Sequence, residues 1–336
     1  MNKNFNNTKY EMEFLKSIKP KLSFDKNNDF NCWRNSAKQK LVELLGLPLQ
    51  KCDPLFEIEH KIERETHFEY RFTVQTELNY FVPCYLLIPK TLGKNIPLTI
   101  CLSGHGSGMH ISLGIAKNEK DEQTLKAWGH RAAAIRTIKE GRAALVIEAR
   151  NFGETSKEGY GVSCEDAAHV ALLSGRTVIG ERVWDAMRIL DAVLENFDVF
   201  DEKTIMCTGN SGGGTATYYL ACLDERIAVA APSCSVCTFD DSIGAMPHCI
   251  CNYVPSIRKF FEMGDLAGLI APRKLVVSTG LKDAIFPIEG AKKAFATIQS
   301  IYDYLGFGDN CALVVGNDGH FFYADEIWEK IHKFGF

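Results

Sequence analysis

The stretch MCTGNSGGGTAT, residues 206–217, decides the fold we expect for this 336-residue chain. It begins as a short apolar run, passes through Gly-Asn-Ser-Gly-Gly and continues into GGGTATYYLACL, which we interpret as helical. This is the G-x-S-x-G pattern of a sharp turn between a strand and a helix, where a serine hydroxyl is lifted clear of a sheet. We therefore predict a strand over residues 204–208, a helix over residues 213–223, and Ser211 as a candidate nucleophile between them.

A glycine-rich helix start can instead cradle a phosphate group, as it does in nucleotide-binding folds. Neither a G-K-[ST] continuation nor a G-x-G-x-x-G spacing accompanies this stretch. The pattern therefore favours nucleophilic catalysis over phosphate binding.

A nucleophilic serine needs a base to take its proton and an acid to orient that base, and the later sequence offers both. Asp283 follows a strand predicted over residues 275–279, and His320 follows one predicted over residues 312–315. In an open parallel sheet, ligand sites lie beyond the carboxyl ends of the strands. The chain order of serine, aspartate and histidine is also that of one hydrolase architecture. We predict a triad of Ser211, Asp283 and His320.

Each member of this triad has a plainer alternative. Asp283 could cap the next helix, and Asp318 competes for the role of the acid. His320 could be an ordinary histidine in a surface loop.

Acyl transfer also needs hydrogen-bond donors for an oxyanion. We expect one to be the amide of Gly212 and the other the amide of Ser107, in LTICLSGHGSGMH, with Gly106 as the weaker choice. Those glycines could instead serve only to allow a tight turn. The candidates for substrate contact are His105, Asn210 and His248.

Short apolar runs after residue 97 alternate with helical patterns, which is typical of a parallel sheet covered on both faces. Residues 68–74 alternate instead, and residues 56–62 and 80–88 look like their antiparallel neighbours. We expect an α/β fold whose twisted sheet is mostly parallel, with an antiparallel N-terminal part and helices on both faces. The remaining predicted strands cover residues 98–102, 144–147 and 227–231, and the remaining predicted helices cover residues 130–140, 182–195, 287–304 and 324–334.

The chain before this sheet contains a further predicted helix. Apolar residues recur there at steps of three and four and are closed by a glycine and a proline, at Phe30, Trp33, Ala37, Leu41, Leu44, Gly46 and Pro48. We expect residues 1–55 to form a helical extension packed on a catalytic domain of residues 56–336. Residues 233–268 have weak periodicity, and we predict that they form a lid-like insertion near the ligand.

Composition narrows the classes of partner. Lysine and arginine number 38 against 42 acidic residues, so the net charge of −4 argues against a nucleic-acid partner. No run approaches 18 apolar residues, and the polar amino-terminal segment has no secretory core. We expect a cytoplasmic protein with a small-molecule ester substrate and no membrane partner, and we leave the oligomeric state open.

The twelve cysteines are scattered, several of them inside apolar runs, which favours buried free thiols over disulfides. Cys234 and Cys237, followed by His248, Cys249 and Cys251, are residue types that zinc prefers, but their spacing departs from ordinary paired-cysteine sites. We therefore expect packed thiols, no metal and no cofactor.

With these motifs in hand, the chain resembles the α/β-hydrolases, and more narrowly their dienelactone hydrolase and acetyl xylan esterase-like branch, over roughly residues 56–334. The resemblance is carried by SGHG, by GRTVIGERVWDAMRILD leading into GNSGGGT, and by GLKDAIFP with GNDGH. It implies Ser211 as nucleophile, His320 as general acid and base, and Asp283 as its partner.

Two features depart from the family pattern. Dienelactone hydrolases proper carry a cysteine at the elbow, where this chain has Ser211. Related esterases often show D-x-R-G, where EARNFG places Glu148 and Asn151 at the acidic and glycine positions.

The resulting expectation is a serine hydrolase that cleaves a carboxylic ester, such as an acetyl ester of a sugar, through an acyl-enzyme. Two alternatives stay open. The same triad could act on a peptide, thioester or lactone bond. The chain could also be a receptor-like binding protein on a hydrolase scaffold.

Overall fold

The computed structural model describes residues 5–91, 93–127 and 131–336. In this part of the chain, nine strands form one sheet in the order β1-β2-β3-β5-β4-β6-β7-β8-β9. The strands are β1 (Glu57–Glu63), β2 (His67–Glu77), β3 (Tyr80–Pro89), β4 (Leu98–Leu102), β5 (Ala143–Ile147), β6 (Met206–Asn210), β7 (Val229–Ser233), β8 (Lys274–Gly280) and β9 (Cys311–Gly316).

The sheet has an antiparallel part and a parallel part. Strand β2 pairs antiparallel with β1 on one side and with β3 on the other, and β3 pairs antiparallel with β5. From β5 through β4 to β9, all neighbours are parallel. The predicted mostly parallel sheet with an antiparallel N-terminal part is confirmed.

Helices cover both faces of the sheet because successive strand residues point to opposite sides. On one face, Leu275 and Val277 of β8 join the main core with residues of α2, α6, α7 and α8. On the other face, Val276 packs with residues of α9, and Cys101 of β4 packs with α4. The helices are α1 (Asn7–Ser17), α2 (Phe30–Leu45), α3 (Glu119–Ala127), α4 (Ala133–Lys139), α5 (Cys164–Leu173), α6 (Val178–Asn196), α7 (Gly212–Leu223), α8 (Ile288–Tyr304) and α9 (Ala324–Lys333).

Helix α2 forms where its apolar residues recur at steps of three and four. The side chain of Asp29 caps its first turn by accepting the amide of Cys32 at 2.7 Å, and Gly46 ends it at φ 74°. Its buried side chains belong to the same core as the sheet. The division of the chain at residue 55 stays a prediction.

Two predicted strands are displaced. The runs predicted at residues 204–208 and 227–231 form strands that begin two residues later, as β6 and β7. A short 3-10 turn, Glu202–Thr204, precedes β6 and occupies the start of the predicted strand. The helix predicted at residues 130–140 is observed as α4, and His130 lies outside the described residues.

The segment at residues 233–268 packs closely against the core. Val236, Phe239, Phe261 and Leu266 are buried members of the main cluster, and short 3-10 turns replace longer helices. Its central part comes back to the carboxyl ends of the strands and lines a cavity there. None of the described helices has both the length and the apolar character needed to cross a membrane.

Candidate active site

Ser211 lies at the corner between β6 and α7. Its backbone has φ 56° and ψ −122°, a conformation that costs free energy for a residue with a side chain. Two hydrogen bonds hold it there: the amide of Ser211 donates to the carbonyl of Ser233 at 2.8 Å, and its carbonyl accepts the amide of Thr215 at 2.8 Å. The predicted sharp turn is therefore present, and neighbouring elements fix it.

The glycines after Ser211 permit a close approach of neighbouring backbone. A Cβ added at Gly213 would collide with the carbonyl of Leu102 at the end of β4. A Cβ added at Gly212 would lie 3.0 Å from the ring of His105. The loop after β4 therefore sits directly against the corner that carries the candidate nucleophile.

Asp283 and His320 come together after β8 and β9. Nδ1 of His320 lies 2.8 Å from Oδ2 of Asp283, while Oδ1 of Asp283 accepts the amides of Ile285 and Phe286, each at 3.0 Å. Burial raises the pKa of Asp283, but the hydrogen bond and charge of His320 and the two amides outweigh this and lower it below its ordinary value. The buried carboxylate is thus suited to hold the imidazole in one tautomer.

Two alternatives concern Asp283: it could cap the next helix, or Asp318 could be the acid in its place. Helix α8 starts at Ile288 with Pro287 at its N-cap position, so Asp283 does not cap it. Asp318, the competing acid, is exposed. Asp283 therefore pairs with His320 in the structure.

The other nitrogen of His320 is available for chemistry. Among the described residues, its Nε2 is buried and has no hydrogen-bond partner. Ser211 and His320 line the same cavity of about 730 Å³. Nε2 of His320 thus makes no hydrogen bond with Ser211 in this structure. Hydrogen bonds of a catalytic site often tighten only when substrate binds, so this arrangement is compatible with His320 acting as a base on Ser211.

The two candidate oxyanion donors come from different segments of the chain. Gly212 is the first residue of α7, where helical amides lack partners within the helix. Ser107 lines the cavity in the loop after β4, and its hydroxyl donates to Oδ1 of Asp121.

Asp121 is a buried residue next to this loop and accepts several hydrogen bonds. Besides Ser107, it accepts hydrogen bonds from Tyr160 at 2.9 Å and from the amide of Lys117 at 3.0 Å, and Nε2 of His110 lies 2.9 Å away. Burial raises its pKa, but these hydrogen bonds prevail and lower the pKa to about 2. A permanent carboxylate thus organises the loop that carries Ser107.

A sequence profile described as the Abhydrolase family matches residues 7–300, from α1 into α8. The chain belongs to the Abhydrolase family. It is also 29% identical over 293 residues to "Putative hydrolase YtaP" of Bacillus subtilis (strain 168), which covers 86% of this chain and 94% of that protein.

The solved structures that share the fold of this Abhydrolase-family chain include two esterases. One, titled as a putative acetyl xylan esterase from Bacteroides fragilis NCTC 9343, has a TM-score of 0.77 at 18% identity and covers 93% of this chain and 83% of its own. The other, a glucuronoyl esterase from Solibacter usitatus, has a TM-score of 0.69 at 15% identity and covers 95% and 98%. At these identities the two structures establish the architecture.

Of the three candidates for substrate contact, two line the cavity and one does not. His248 lines the cavity, and its ring lies edge-on to Phe286 with centroids 5.1 Å apart. Burial lowers the pKa of His248 below its ordinary value. Asn210 is buried at the end of β6, where its Oδ1 accepts the hydroxyl of Ser233 at 2.9 Å, and it does not line this cavity.

His105 lines the cavity but is also engaged behind it. Its Nε2 lies 3.2 Å from Sγ of Cys251, and its ring packs on Phe152 with centroids 4.9 Å apart. Burial lowers its pKa, but hydrogen bonds with Cys249 and Cys251 prevail and raise the pKa to about 9. His105 therefore links the cavity wall to a group of cysteines.

The two departures from the D-x-R-G pattern fit their positions in this Abhydrolase-family chain. Asn151 adopts φ 67°, a left-handed conformation that asparagine tolerates better than most residues. Glu148 is buried and accepts the amide of Met109 at 3.0 Å and that of Glu154 at 3.2 Å, which places it behind the loop after β4. Burial outweighs these hydrogen bonds and raises its pKa to about 7.

Two residues of the site have roles that no sequence motif predicts. Phe286 stacks on His320, and Asp121 supports Ser107, yet neither has a spacing that predicts its role. Phe286 does lie in GLKDAIFP, so its closeness to Asp283 in the sequence is the one feature that could indicate its place in the site.

Proposed function

We propose that this chain is a serine hydrolase that cleaves a carboxylic ester of a small substrate. The observation that carries the proposal is the buried contact between Asp283 and Nδ1 of His320, whose Nε2 is left for the cavity that Ser211 also lines. Membership of the Abhydrolase family and the strained backbone of Ser211 support the same assignment.

In the proposed reaction, Oγ of Ser211 attacks the ester carbonyl carbon while its proton passes to Nε2 of His320. The oxyanion accepts hydrogen bonds from the amides of Gly212 and Ser107. Collapse of this intermediate breaks the ester bond, and His320 gives its proton to the departing alcohol. A water molecule then loses a proton to His320 and attacks the acyl-enzyme. As the bond between the acyl carbon and Oγ of Ser211 breaks, His320 returns this proton to Oγ and the carboxylic acid is released.

Asp283 has a separate part in this scheme. Its carboxylate holds the Nδ1 proton of His320 and stabilises the imidazolium that forms in each half of the reaction. The lowered pKa of Asp283 keeps that carboxylate ionised at neutral pH.

We propose an ester of a polar alcohol, such as an acetylated sugar, as the substrate class. The cavity volume of about 730 Å³ is in the range of small-molecule sites. Its wall carries polar groups that can contact hydroxyls, among them Lys120, Thr124, Arg131, Tyr160 and Asn252. The two esterases of the same fold are named for carbohydrate substrates, which supports this choice.

We further propose a cytoplasmic location. All twelve cysteines are unpaired in the structure, which supports a reducing compartment.

The test compares Ser211→Ala with Ser36→Ala, a substitution of an exposed serine on α2. We expect Ser211→Ala to lose at least about a thousandfold in kcat on short aryl esters, and Ser36→Ala to match the wild type. A fluorophosphonate should label the wild type and Ser36→Ala but not Ser211→Ala.

Wild-type turnover by Ser211→Ala would overturn the proposal. Absence of labelling in a folded wild type would favour the receptor-like alternative. A panel of acetyl, longer acyl, thioester, lactone and peptidyl reporters then identifies the bond.

A further inference from the structure

Four side chains that can bind a metal meet beside the cavity. Nε2 or Nδ1 of His105 and the Sγ atoms of Cys164, Cys249 and Cys251 all lie within 4.8 Å of one another. His105 comes from the loop after β4, Cys164 from the start of α5, and the other two from the segment between β7 and β8. We call these four residues the Cys3His cluster.

The residue types match a structural zinc site. Three cysteines and one histidine are a set that binds Zn²⁺ tetrahedrally, with Zn–S bonds of about 2.3 Å and Zn–N bonds of about 2.0–2.1 Å. Ligand atoms in such a tetrahedron lie about 3.5–3.8 Å apart. The 3.2 Å between Nε2 of His105 and Sγ of Cys251 is slightly shorter than this spacing, and no pair needs to close by more than about 1 Å.

Two of the four side chains are buried among apolar residues, whereas His105 and Cys249 are half-buried and line the cavity. Cys164 is 3% exposed and Cys251 is 1% exposed, and both belong to a buried cluster with Phe152, Ala168 and Val178. Four protein ligands complete the coordination of a structural zinc site, whereas a catalytic site keeps one position open.

The charge of the surroundings also fits. Arg182 is buried, its Nη2 lies 3.3 Å from Sγ of Cys164, and its guanidinium lies over the ring of Phe152 at 4.2 Å. Three thiolates around one Zn²⁺ leave a single net negative charge, which this one cation neutralises. A buried metal centre would thus carry no net charge.

We propose that His105, Cys164, Cys249 and Cys251 bind one Zn²⁺ in a structural site that braces the wall of the active-site cavity. Binding releases the protons that the thiols and the imidazole hold, so affinity falls at low pH. His105 lies two residues before Ser107, and its ring contacts the position of Gly212. The metal would therefore fix the loop that supplies one oxyanion donor, and this effect on rate rests on the proposed function.

The proposed site differs from the expectation of packed thiols without a metal. Cys234 and Cys237 lie outside the Cys3His cluster, with their thiols donating to the carbonyls of Phe321 and Pro287. Cys249 and Cys251 instead find their partners in His105 and in a cysteine far away in the sequence.

The first test measures zinc in the full-length protein, purified without a metal-binding tag and dialysed after incubation with ZnSO₄. We expect about one zinc per chain by elemental mass spectrometry. Cys251→Ser and Cys164→Ser should lose most of this zinc. The matched control Cys311→Ser, which changes a buried thiol in β9 outside the cluster, should keep it.

A second measurement does not depend on variants that fold. Wild-type protein reconstituted with Co²⁺ should show the absorption bands of tetrahedral cobalt bound to thiolates. A wild type that retains almost no zinc and gives no such bands overturns the proposal, and so does a disulfide within the cluster found by mass spectrometry.

The zinc content also separates this inference from the proposed function. Ser211→Ala should bind the same amount of zinc as the wild type, since Ser211 is not a ligand. If the metal is present, its removal by a chelator should lower kcat on aryl esters and lower the melting temperature together.

Discussion

The ring of Phe286 stacks on the imidazole of His320, with centroids 5.8 Å apart and planes inclined by 16°. The amide of Phe286 also donates to Asp283, so one residue contacts both partners of the proposed acid and base pair. Phe286 lies against a face of the imidazole ring, whereas Asp283 contacts the ring edge at Nδ1.

Phe286→Leu should therefore lower kcat by about tenfold with a smaller change in KM, because a tilted imidazole meets Ser211 less often in reactive geometry. Phe307→Ala, a change at a surface phenylalanine, is the control and should have no such effect. Steady-state kinetics on an aryl acetate measure the difference. Unchanged kcat in a folded Phe286→Leu protein would show that stacking does not position His320.

Asp283→Asn should keep the fold and lower kcat by about 10⁴-fold, since an amide can present its nitrogen to His320 and favour the wrong tautomer. The control is Asp318→Asn, which changes the exposed acid two residues from His320. We expect its kcat to stay within about twofold of the wild type. A larger loss in the control than in Asp283→Asn would reverse the assignment of the acid.

Asp121→Asn should remove hydrogen bonds that hold the loop carrying Ser107 in place. An amide cannot accept on both sides, so either the hydroxyls of Ser107 and Tyr160 or the groups on the other oxygen lose their acceptor. We expect the free energy of unfolding to fall by about 1–3 kcal/mol and kcat to fall more than KM rises. Asp166→Asn, at an exposed ion pair with Lys157, provides the comparison in denaturant titrations and kinetics.

Glu148→Gln should change how stability depends on pH. The folded protein raises the pKa of Glu148 to about 7, so it binds the proton more tightly than the unfolded chain. The resulting stabilisation is complete below the unfolded pKa of about 4.5 and is lost as pH rises through about 7, by up to about 3 kcal/mol.

The variant lacks this titration. Between pH 5 and pH 8 its free energy of unfolding should therefore decline less than that of the wild type. Urea titrations across that range make the comparison, and parallel curves for the two proteins would contradict the predicted contribution.

The sequence could predict the parts of this molecule that depend on local pattern. Ser211, Asp283 and His320 each follow a strand of the parallel part, and a parallel sheet gathers such positions at one edge. The apolar runs located the strands, although β6 and β7 start later than predicted, since buried residues such as Ile205 continue the apolar pattern outside the strand.

Other features depend on packing between distant segments. Helices α1, α3 and α5 were not predicted: α1 has no buried residues, and α3 is largely charged. The Cys3His cluster joins three separate segments, so no spacing motif marks it. Phe286 and Asp121 likewise acquire their roles only when the loops meet.

The position of β9 at the end of the sheet has a consequence for heating. Ser211 follows β6, which has a strand on either side, whereas His320 follows β9, an edge strand that pairs only with β8 among the strands of the described residues. Fraying begins where a segment has fewest neighbours, and it needs less free energy than melting of the whole domain. Moderate warming would thus detach the base from its acid while the central strands stay intact, so catalysis would fail before circular dichroism reports a transition.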